Sequence, residues 1–251
     1  MPAARERLDR LLVTQGLVTS REIAARTILA GGVLVDGLVV DKPSRLVATG
    51  ARIEIKRPAP YVSRSGEKLE AALDVFAIDP TNAVCLDVGC STGGFTDCLL
   101  QRGAKRVYSV DVGYGLLDWK LRQDSRVVLL ERTNIRYIDR TALPEAIDLA
   151  VIDVSFISLK IVLPSVMPFL QQNATVVALV KPQFEVGKGQ VGSGGVVRDE
   201  AQREAVTQKI IRCASGLGLN VRGILDSPVR GRKGNREILV GLDRRGIIDP
   251  S

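Results

Sequence analysis

From about residue 63 onward the chain repeats one pattern: a short apolar run, a turn, then apolar side chains recurring every three or four positions. The runs fall near 83–88, 106–111, 127–130, 147–153 and 174–181, with later ones near 219–226 and 237–242. Helical periodicity predicts helices around 94–102, 159–170 and 200–216. Before the first run, Leu69, Ala72, Leu73 and Phe76 make one helical face, with Lys68 near its start. Strands alternating with helices predict an α/β domain built on a doubly wound, mostly parallel seven-stranded sheet.

The front of the chain reads differently. Leu8, Leu11 and Leu12 fall on one helical face that Gly16 can stop, and Thr19 with Glu22 offers a capping box for a second helix. Val33–Val35 and Leu38–Val40 flank Asp36-Gly37, a strong hairpin signal, and Arg52–Ile55 supplies another strand. A small α+β unit is therefore expected over 1–57. The prolines of Arg57-Pro58-Ala59-Pro60-Tyr61 favour an extended spacer, which predicts a linker at 58–62 and a large domain over 63–251.

The most informative stretch is Val84–Asp97. An apolar run carries Asp87 near its end, feeds a turn with Gly89, Gly93 and Gly94, and opens a helix. Glycine permits a sharp turn and close approach of a ligand, and a helix start offers free N–H groups. The spacing is not G-x-G-x-x-G, and a second acid, Asp111, ends the next run, where a carboxylate can accept both hydroxyls of a ribose. This arrangement resembles the first motif of S-adenosylmethionine-dependent methyltransferases. The resemblance implies cofactor contacts at Asp87, Gly89, Ser91, Gly93, Gly94, Phe95, Thr96 and Asp111, with Asn134 toward the adenine. An ordinary strand-to-helix turn, and for Asn134 a loop cap, are the plainer readings.

Other charges stand where buried runs end: Asp153 after Leu149–Ile152 and Lys181 after Val176–Val180. Glu237 begins the last run, and it reaches the same sheet edge if that strand is antiparallel. Each alone would be an ordinary salt-bridged strand-end charge. Together, Lys68, Asp153, Lys181 and Glu237 resemble the Lys-Asp-Lys-Glu tetrad of the FtsJ-related ribose 2′-O-methyltransferases. The surrounding text is closer to the TlyA family: Tyr61–Arg64, Asp153–Leu159, Lys181–Gly187 and Gly194–Asp199. In front, Arg7-Leu8-Asp9, Gly16-Leu17, Ser20-Arg21, Ala30-Gly31, Val35-Asp36-Gly37 and Lys42-Pro43 resemble the S-four RNA-binding domain.

The family resemblance spans residues 5 to about 243. It implies a Rossmann-like methyltransferase domain behind an RNA-binding module. The implied activity is S-adenosylmethionine-dependent 2′-O-methylation of cytidine in ribosomal RNA, free or in subunits. Lys181 would orient the ribose hydroxyl and favour its oxyanion or, helped by the charge of Lys68, take its proton, while Asp153 and Glu237 hold the lysines. Arg5, Arg7, Arg21, Arg26, Lys42 and Arg64 are the expected RNA contacts, with a solvated basic face as the plain alternative. The sequence departs from the family pattern at Ser65, Glu67, Ser193 and Arg232. The glycine-rich span Phe184–Val197 suggests a mobile lid, with a disordered surface loop as the plain alternative.

Composition narrows the chemistry further. The net charge is +7, and residues 1–57 carry 10 Lys/Arg against 6 Asp/Glu, so the small unit is the more basic per residue. Such a surplus favours a polyanionic partner. No histidine occurs in the 251 residues, which excludes a Ser-His-Asp triad and any His-ligated metal. Cys85, Cys90, Cys98 and Cys213 form no C-x-x-C pair and are expected to be reduced and buried, with no metal. No apolar run is long enough to cross a bilayer, so a cytoplasmic protein is expected, with a monomer as the default where the sequence leaves oligomeric state open. Three other readings stay open: base N-methylation, for which Asp153-Val154-Ser155-Phe156 lacks the expected prolines, a non-catalytic RNA assembly factor, and a pore former.

Overall fold

A computed structural model describes residues 4–56, 59–187, 192–231 and 234–244. The chain divides into two compact units, Met1–Ala59 and Pro60–Ser251.

The first unit runs β1 (Arg5–Arg7), α1 (Leu8–Thr14), α2 (Arg21–Leu29), β2 (Val33–Val35), β3 (Leu38–Val39), β4 (Leu46–Ala48) and β5 (Ile53–Ile55). β2 is central between β3 and β5, and the β2–β3 turn has Asp36 and Gly37 both at positive φ, as a two-residue hairpin requires. β1 pairs with β4, a contact that hydrophobic periodicity does not announce. The cap of α2 is Ser20 and not Thr19: its hydroxyl accepts from the Ile23 N–H at 3.2 Å, so no Thr19–Glu22 box forms. Leu8, Leu12, Ile28 and Val33 are fully buried at the centre of this unit.

One acid joins the two helices. Asp9, 4% exposed, accepts from Arg7 Nε and Nη2 at 3.0 and 2.9 Å and from Arg21 Nη2 at 2.9 Å. The Arg7 hydrogen bond holds its carboxyl well below the usual carboxylate range against the opposing effect of burial, and Arg21 adds to it. Two of the expected RNA contacts therefore spend part of their bonding on the fold. Arg5, Arg26 and Lys42 are exposed.

The second unit runs α3 (Ser65–Val75), β6 (Val84–Val88), α4 (Gly94–Gln101), β7 (Arg106–Val110), α5 (Trp119–Arg122), β8 (Val127–Leu130) and β9 (Ile147–Ile152). It continues with α6 (Leu159–Val166), β10 (Leu170–Val180), α7 (Pro182–Glu185), α8 (Glu200–Gly216), β11 (Leu219–Asp226) and β12 (Ile238–Arg244). The sheet order is β11-β12-β10-β9-β6-β7-β8. All neighbours pair in parallel except β12, which is antiparallel to both β10 and β11.

Both faces are covered, as the unbroken apolar runs require. Leu86, Val176 and Ala178 face α6 and α8, whose Leu163, Val206 and Ile210 meet them. The alternate residues Cys85, Val177 and Leu179 face α3 and α4 through Leu69, Leu73 and Leu99.

Part of the expected 58–62 spacer belongs to the second unit. Arg57 and Pro58 lie outside the described residues, while Pro60–Val62 are tied to the second unit. Tyr61 is 5% exposed, Gln101 donates to the Pro60 carbonyl at 2.9 Å, and the Val62 N–H donates to Asp97 at 2.8 Å. An aromatic ring offered a concave apolar face does not stay in a solvated linker.

The Asp9 node yields a test. Because its carboxyl is held ionised, its contribution is present above the unfolded value of about 3.9 and is lost as pH falls through the lower folded value. Asp9→Asn should speed amide exchange across residues 8–29 at neutral pH, and the gap from wild type should narrow below about pH 4. Equal exchange in both proteins at pH 7 would show that the node does not hold the helices.

Candidate active site

Parallel strands deliver their C-terminal ends to one edge of the sheet, and the site is assembled there. β6 ends in Asp87-Val88 and turns through Gly89 at φ +86°. A Cβ on Gly89 would stand 2.5 Å from the Asp153 carbonyl oxygen, so this position must lack a side chain. A Cβ on Gly94 would meet Ser65 Oγ and Ser63 Oγ, because the start of α3 lies directly on the start of α4.

Two acids shape the turn. Asp111 accepts from the Ser91 N–H at 2.8 Å through Oδ2 and from the Gly113 N–H at 2.7 Å through Oδ1. Asp87 is fully buried; Thr96 Oγ1 donates to its Oδ2 at 2.7 Å and lies 2.8 Å from Ser109 Oγ. Its Oδ1 has no partner among the described residues. Burial pushes the Asp87 carboxyl up to about 7, helped by the charges of Asp153 and Asp111, while the Thr96 hydrogen bond works the other way.

Two adjacent cavities open at this edge and share Gly89, Ser91, Asp153, Ser155 and Phe156. One, of about 470 Å³, has apolar walls such as Val110, Val154 and Ile157, with Asp111 and Asn134 among its few polar residues. Asn134 Oδ1 also caps a short 3₁₀ turn by accepting from the Arg136 N–H at 3.1 Å. The other cavity, of about 390 Å³, is lined by Lys68, Asp153, Lys181 and Glu237 together.

The four charges form two ion pairs. Lys68 Nζ donates to Glu237 Oε2 at 2.6 Å, with side-chain exposures of 10% and 3%. Lys181 Nζ lies 2.6 Å from Asp153 Oδ1 and donates to Ser155 Oγ at 2.9 Å. β12 runs antiparallel, so Glu237 stands at the start of a strand whose first residue, Ile238, pairs with Val180 beside Lys181. Gly231 makes room for Glu237, since a Cβ there would meet the carboxylate.

The expected cofactor residues separate into two groups. Gly89, Ser91, Phe95, Asp111 and Asn134 line one cavity or both. Asp87, Gly93, Gly94 and Thr96 line neither; they lie behind the wall and fix the turn. Arg64 is exposed and outside both cavities.

Phe156 and Glu185 also shape this edge, without a periodic signal in the sequence. Phe156, 86% exposed and at φ +64°, tilts against Phe184 with ring centroids 4.9 Å apart. Glu185 is buried and accepts from Ser158 Oγ at 2.5 Å and the Leu159 N–H at 2.7 Å. It thereby fastens the loop after β10 to the start of α6, and burial raises its carboxyl. An acid four residues beyond a strand-end lysine was the available signal.

The glycine-rich span Phe184–Val197 is held at its far end. Residues 188–191 lie outside the described residues. Asn235 accepts from the Val197 N–H at 3.1 Å and donates to the Gly195 carbonyl at 2.9 Å, and Val197 is 4% exposed.

A doubly wound sheet with its last strand reversed, a glycine turn flanked by two acids, and an apolar cavity beside a charged one define a methyltransferase of the Rossmann-like kind. Residues 61–244 match the FtsJ-like methyltransferase family and residues 6–53 match the S4 domain. The chain belongs to the FtsJ-like methyltransferase family. It is 48% identical to the 16S/23S rRNA (cytidine-2′-O)-methyltransferase TlyA of Mycobacterium tuberculosis, over 96% of this chain and 90% of that protein. A hemolysin-named structure from Streptococcus thermophilus superposes with a TM-score of 0.74 at 44% identity, covering 96% of this chain and 89% of that one. An S-adenosylmethionine-dependent methyltransferase from Listeria monocytogenes shares the fold, with a TM-score of 0.55 at 16% identity over 73% of this chain and all of that one. Among the described residues no helix is long and apolar enough to cross a membrane.

The buried Asp87 generates a measurable pH dependence. A carboxyl near 7 in the fold and near about 3.9 unfolded keeps its proton longer when folded, so stability falls as pH rises between those values, by up to about 1.4 kcal/mol per unit. Asp87→Asn should remove that slope in denaturant titrations at pH 4 to 7. An unchanged slope would show that Asp87 is not the group responsible.

Proposed function

We propose that this chain transfers a methyl group from S-adenosylmethionine to the ribose 2′-hydroxyl of a cytidine in ribosomal RNA. The observation that carries this reading is the convergence of both lysine–carboxylate pairs on one cavity, next to a cavity suited to an adenosine. Burying two ion pairs costs desolvation that their attraction repays only in good geometry, so stability is a weak reason to keep them there.

The second cavity fits the cofactor. Its apolar walls suit a flat base, and each Asp111 oxygen, accepting one N–H, retains a lone pair for a ribose hydroxyl. Asn134 retains its amide N–H donors for the base. When bound, the cofactor supplies an electrophilic methyl group on sulfur. Asp87, Gly93, Gly94 and Thr96 act by holding the turn in shape.

A ribose hydroxyl is a poor nucleophile until its proton begins to leave. Lys181 places a positive charge at the cavity wall, where it orients the hydroxyl and stabilises the developing oxyanion. Asp153 and Ser155 fix that ammonium by a charge-assisted pair and a hydrogen bond. Glu237 does the same for Lys68, whose ammonium lines the same cavity. Positioning supplies much of the remaining rate.

The front unit, proposed to extend over 1–57, would dock structured RNA. Exposed Arg5, Arg26 and Lys42 would contact phosphates, with the outer faces of Arg7 and Arg21, and Arg64 would add a contact from the second unit. A cytoplasmic, monomeric enzyme accords with this role.

Two substitutions separate binding from chemistry. Asp111→Ala should weaken S-adenosylmethionine binding, read by calorimetry, by about 1–3 kcal/mol, as expected for losing a charged acceptor. Unaltered affinity would mean that Asp111 does not hold the ribose.

Lys181→Ala should keep cofactor and RNA affinity while slowing single-turnover methyl transfer to ribosomal subunits by at least about a hundredfold. Lys181→Arg should not restore the rate, because a guanidinium is bulkier and does not give up its proton. Near-normal turnover in either variant would remove Lys181 from the mechanism. Resistance of the product to alkaline cleavage at the modified nucleotide distinguishes ribose from base methylation.

A further inference from the structure

The loop that delivers Glu237 has two sets of contacts. Gly231 and Glu237 line the catalytic cavity, whereas Arg230 and Arg236, each one residue away, line a separate concavity of about 350 Å³. Arg198 and Arg203 complete its basic lining, and Glu200 is its one acid.

Arg203 is the unusual member. Its side chain is only 5% exposed, yet its ion-pair partners, Glu200 at 2.6 Å and Asp226 at 3.0 Å, are 72% and 71% exposed. Exposed carboxylates return little to an ion pair. The Nε–H of Arg203 is buried with no acceptor among the described residues, a cost that a structural pair alone does not explain.

Arg236 adds a loose contact of 3.7 Å to the same Glu200. Four guanidiniums against Glu200 in the lining and the Asp226 that pairs with Arg203 outside it leave an excess of positive charge around one concavity, and those charges repel until an anion enters. Guanidinium forks match phosphate oxygens in shape as well as charge. The concavity is also built and not merely a cluster of surface arginines: Asn235, two residues before Glu237, pins its Val197 wall.

We propose that this basic concavity binds a phosphodiester group of the RNA strand that flanks the nucleotide in the catalytic cavity. The inference rests on the RNA methyltransferase reading above and adds a backbone-gripping subsite that holds the strand in register. Arg230, Arg236 and Arg198 would supply the mobile contacts, and Arg203 the fixed floor.

The test uses the full chain with Arg230→Ala and Arg236→Ala combined, both at exposed positions, and Arg203→Lys as a charge-conserving probe of the floor. Thermal melting confirms that each variant folds. The double variant should bind protein-free ribosomal RNA about tenfold more weakly, and the slope of log affinity against log salt should shrink by about one for each phosphate the variant no longer neutralises. Its KM for RNA should rise while the single-turnover rate at saturating RNA and the calorimetric affinity for S-adenosylmethionine stay unchanged. Arg203→Lys should give a smaller loss of RNA affinity.

Unchanged RNA affinity and salt slope in the double variant would overturn the proposal. So would a loss confined to assembled subunits, which would assign the concavity to a ribosomal protein. Failure of the wild-type chain to methylate RNA would count against the proposed activity instead, and the binding measurements would still decide the subsite.

Discussion

The antiparallel pairing of β12 with β10 is the constraint on which the site depends. Parallel strands can bring only their C-terminal ends to the cofactor edge, which accounts for Asp87, Asp111, Asp153 and Lys181. A residue at the start of a strand reaches that edge only if its strand is reversed. Reversal places Glu237 beside the end of β10, where it meets Lys68 arriving from the opposite layer. A parallel seventh strand would carry the same glutamate to the far end of the sheet. The tetrad is thus a statement about topology before it is one about chemistry.

The polar residues around the edge divide by burial into those that shape the site and those that face its cavities. Asp87, Thr96 and Ser109 are sealed behind the turn and bond to one another. Glu185 ties the loops after β9 and β10 through Ser158 and Leu159, and so sets the relative position of Asp153 and Lys181. The ion pairs in front of this scaffold face a cavity, where the hydroxyl of the proposed substrate would exchange partners with them. Rigid support behind, exchangeable contacts in front, is what a preorganised electrostatic site requires.

The sheet and its helices were readable because buried parallel strands are uniform apolar runs, and β8, β11 and α8 fall at the residues the periodicity marks. The strand-end charges were readable because a charge after such a run is poorly placed for solvent. Short elements were not: β1 and β4 pair with each other across a long stretch of sequence, and α5 is a single turn capped by the adjacent Asp118, so none carries a period of its own. Ser20 displaced Thr19 as a cap because either hydroxyl could serve locally and only the helix start decides. Tyr61 looked like linker because proline composition records backbone stiffness and says nothing of where a ring finds a pocket. The distinction between Asp111, which lines a cavity, and Asp87, which does not, lies in depth along the strand, and that is a property of packing.

Phe156 carries a consequence for how this enzyme can evolve. A bulky residue in the left-handed region of backbone space is held there against a cost of about 1–3 kcal/mol. Glycine would relieve that cost and stabilise the loop, but it would strip the cavity mouth of the ring that meets Phe184. Selection for thermal robustness alone therefore pushes this position toward glycine, and selection for a working cavity mouth pushes it back. A lineage that keeps an aromatic residue here gives up resilience to hold the ring contact at the cavity mouth, at a single, identifiable bond rotation.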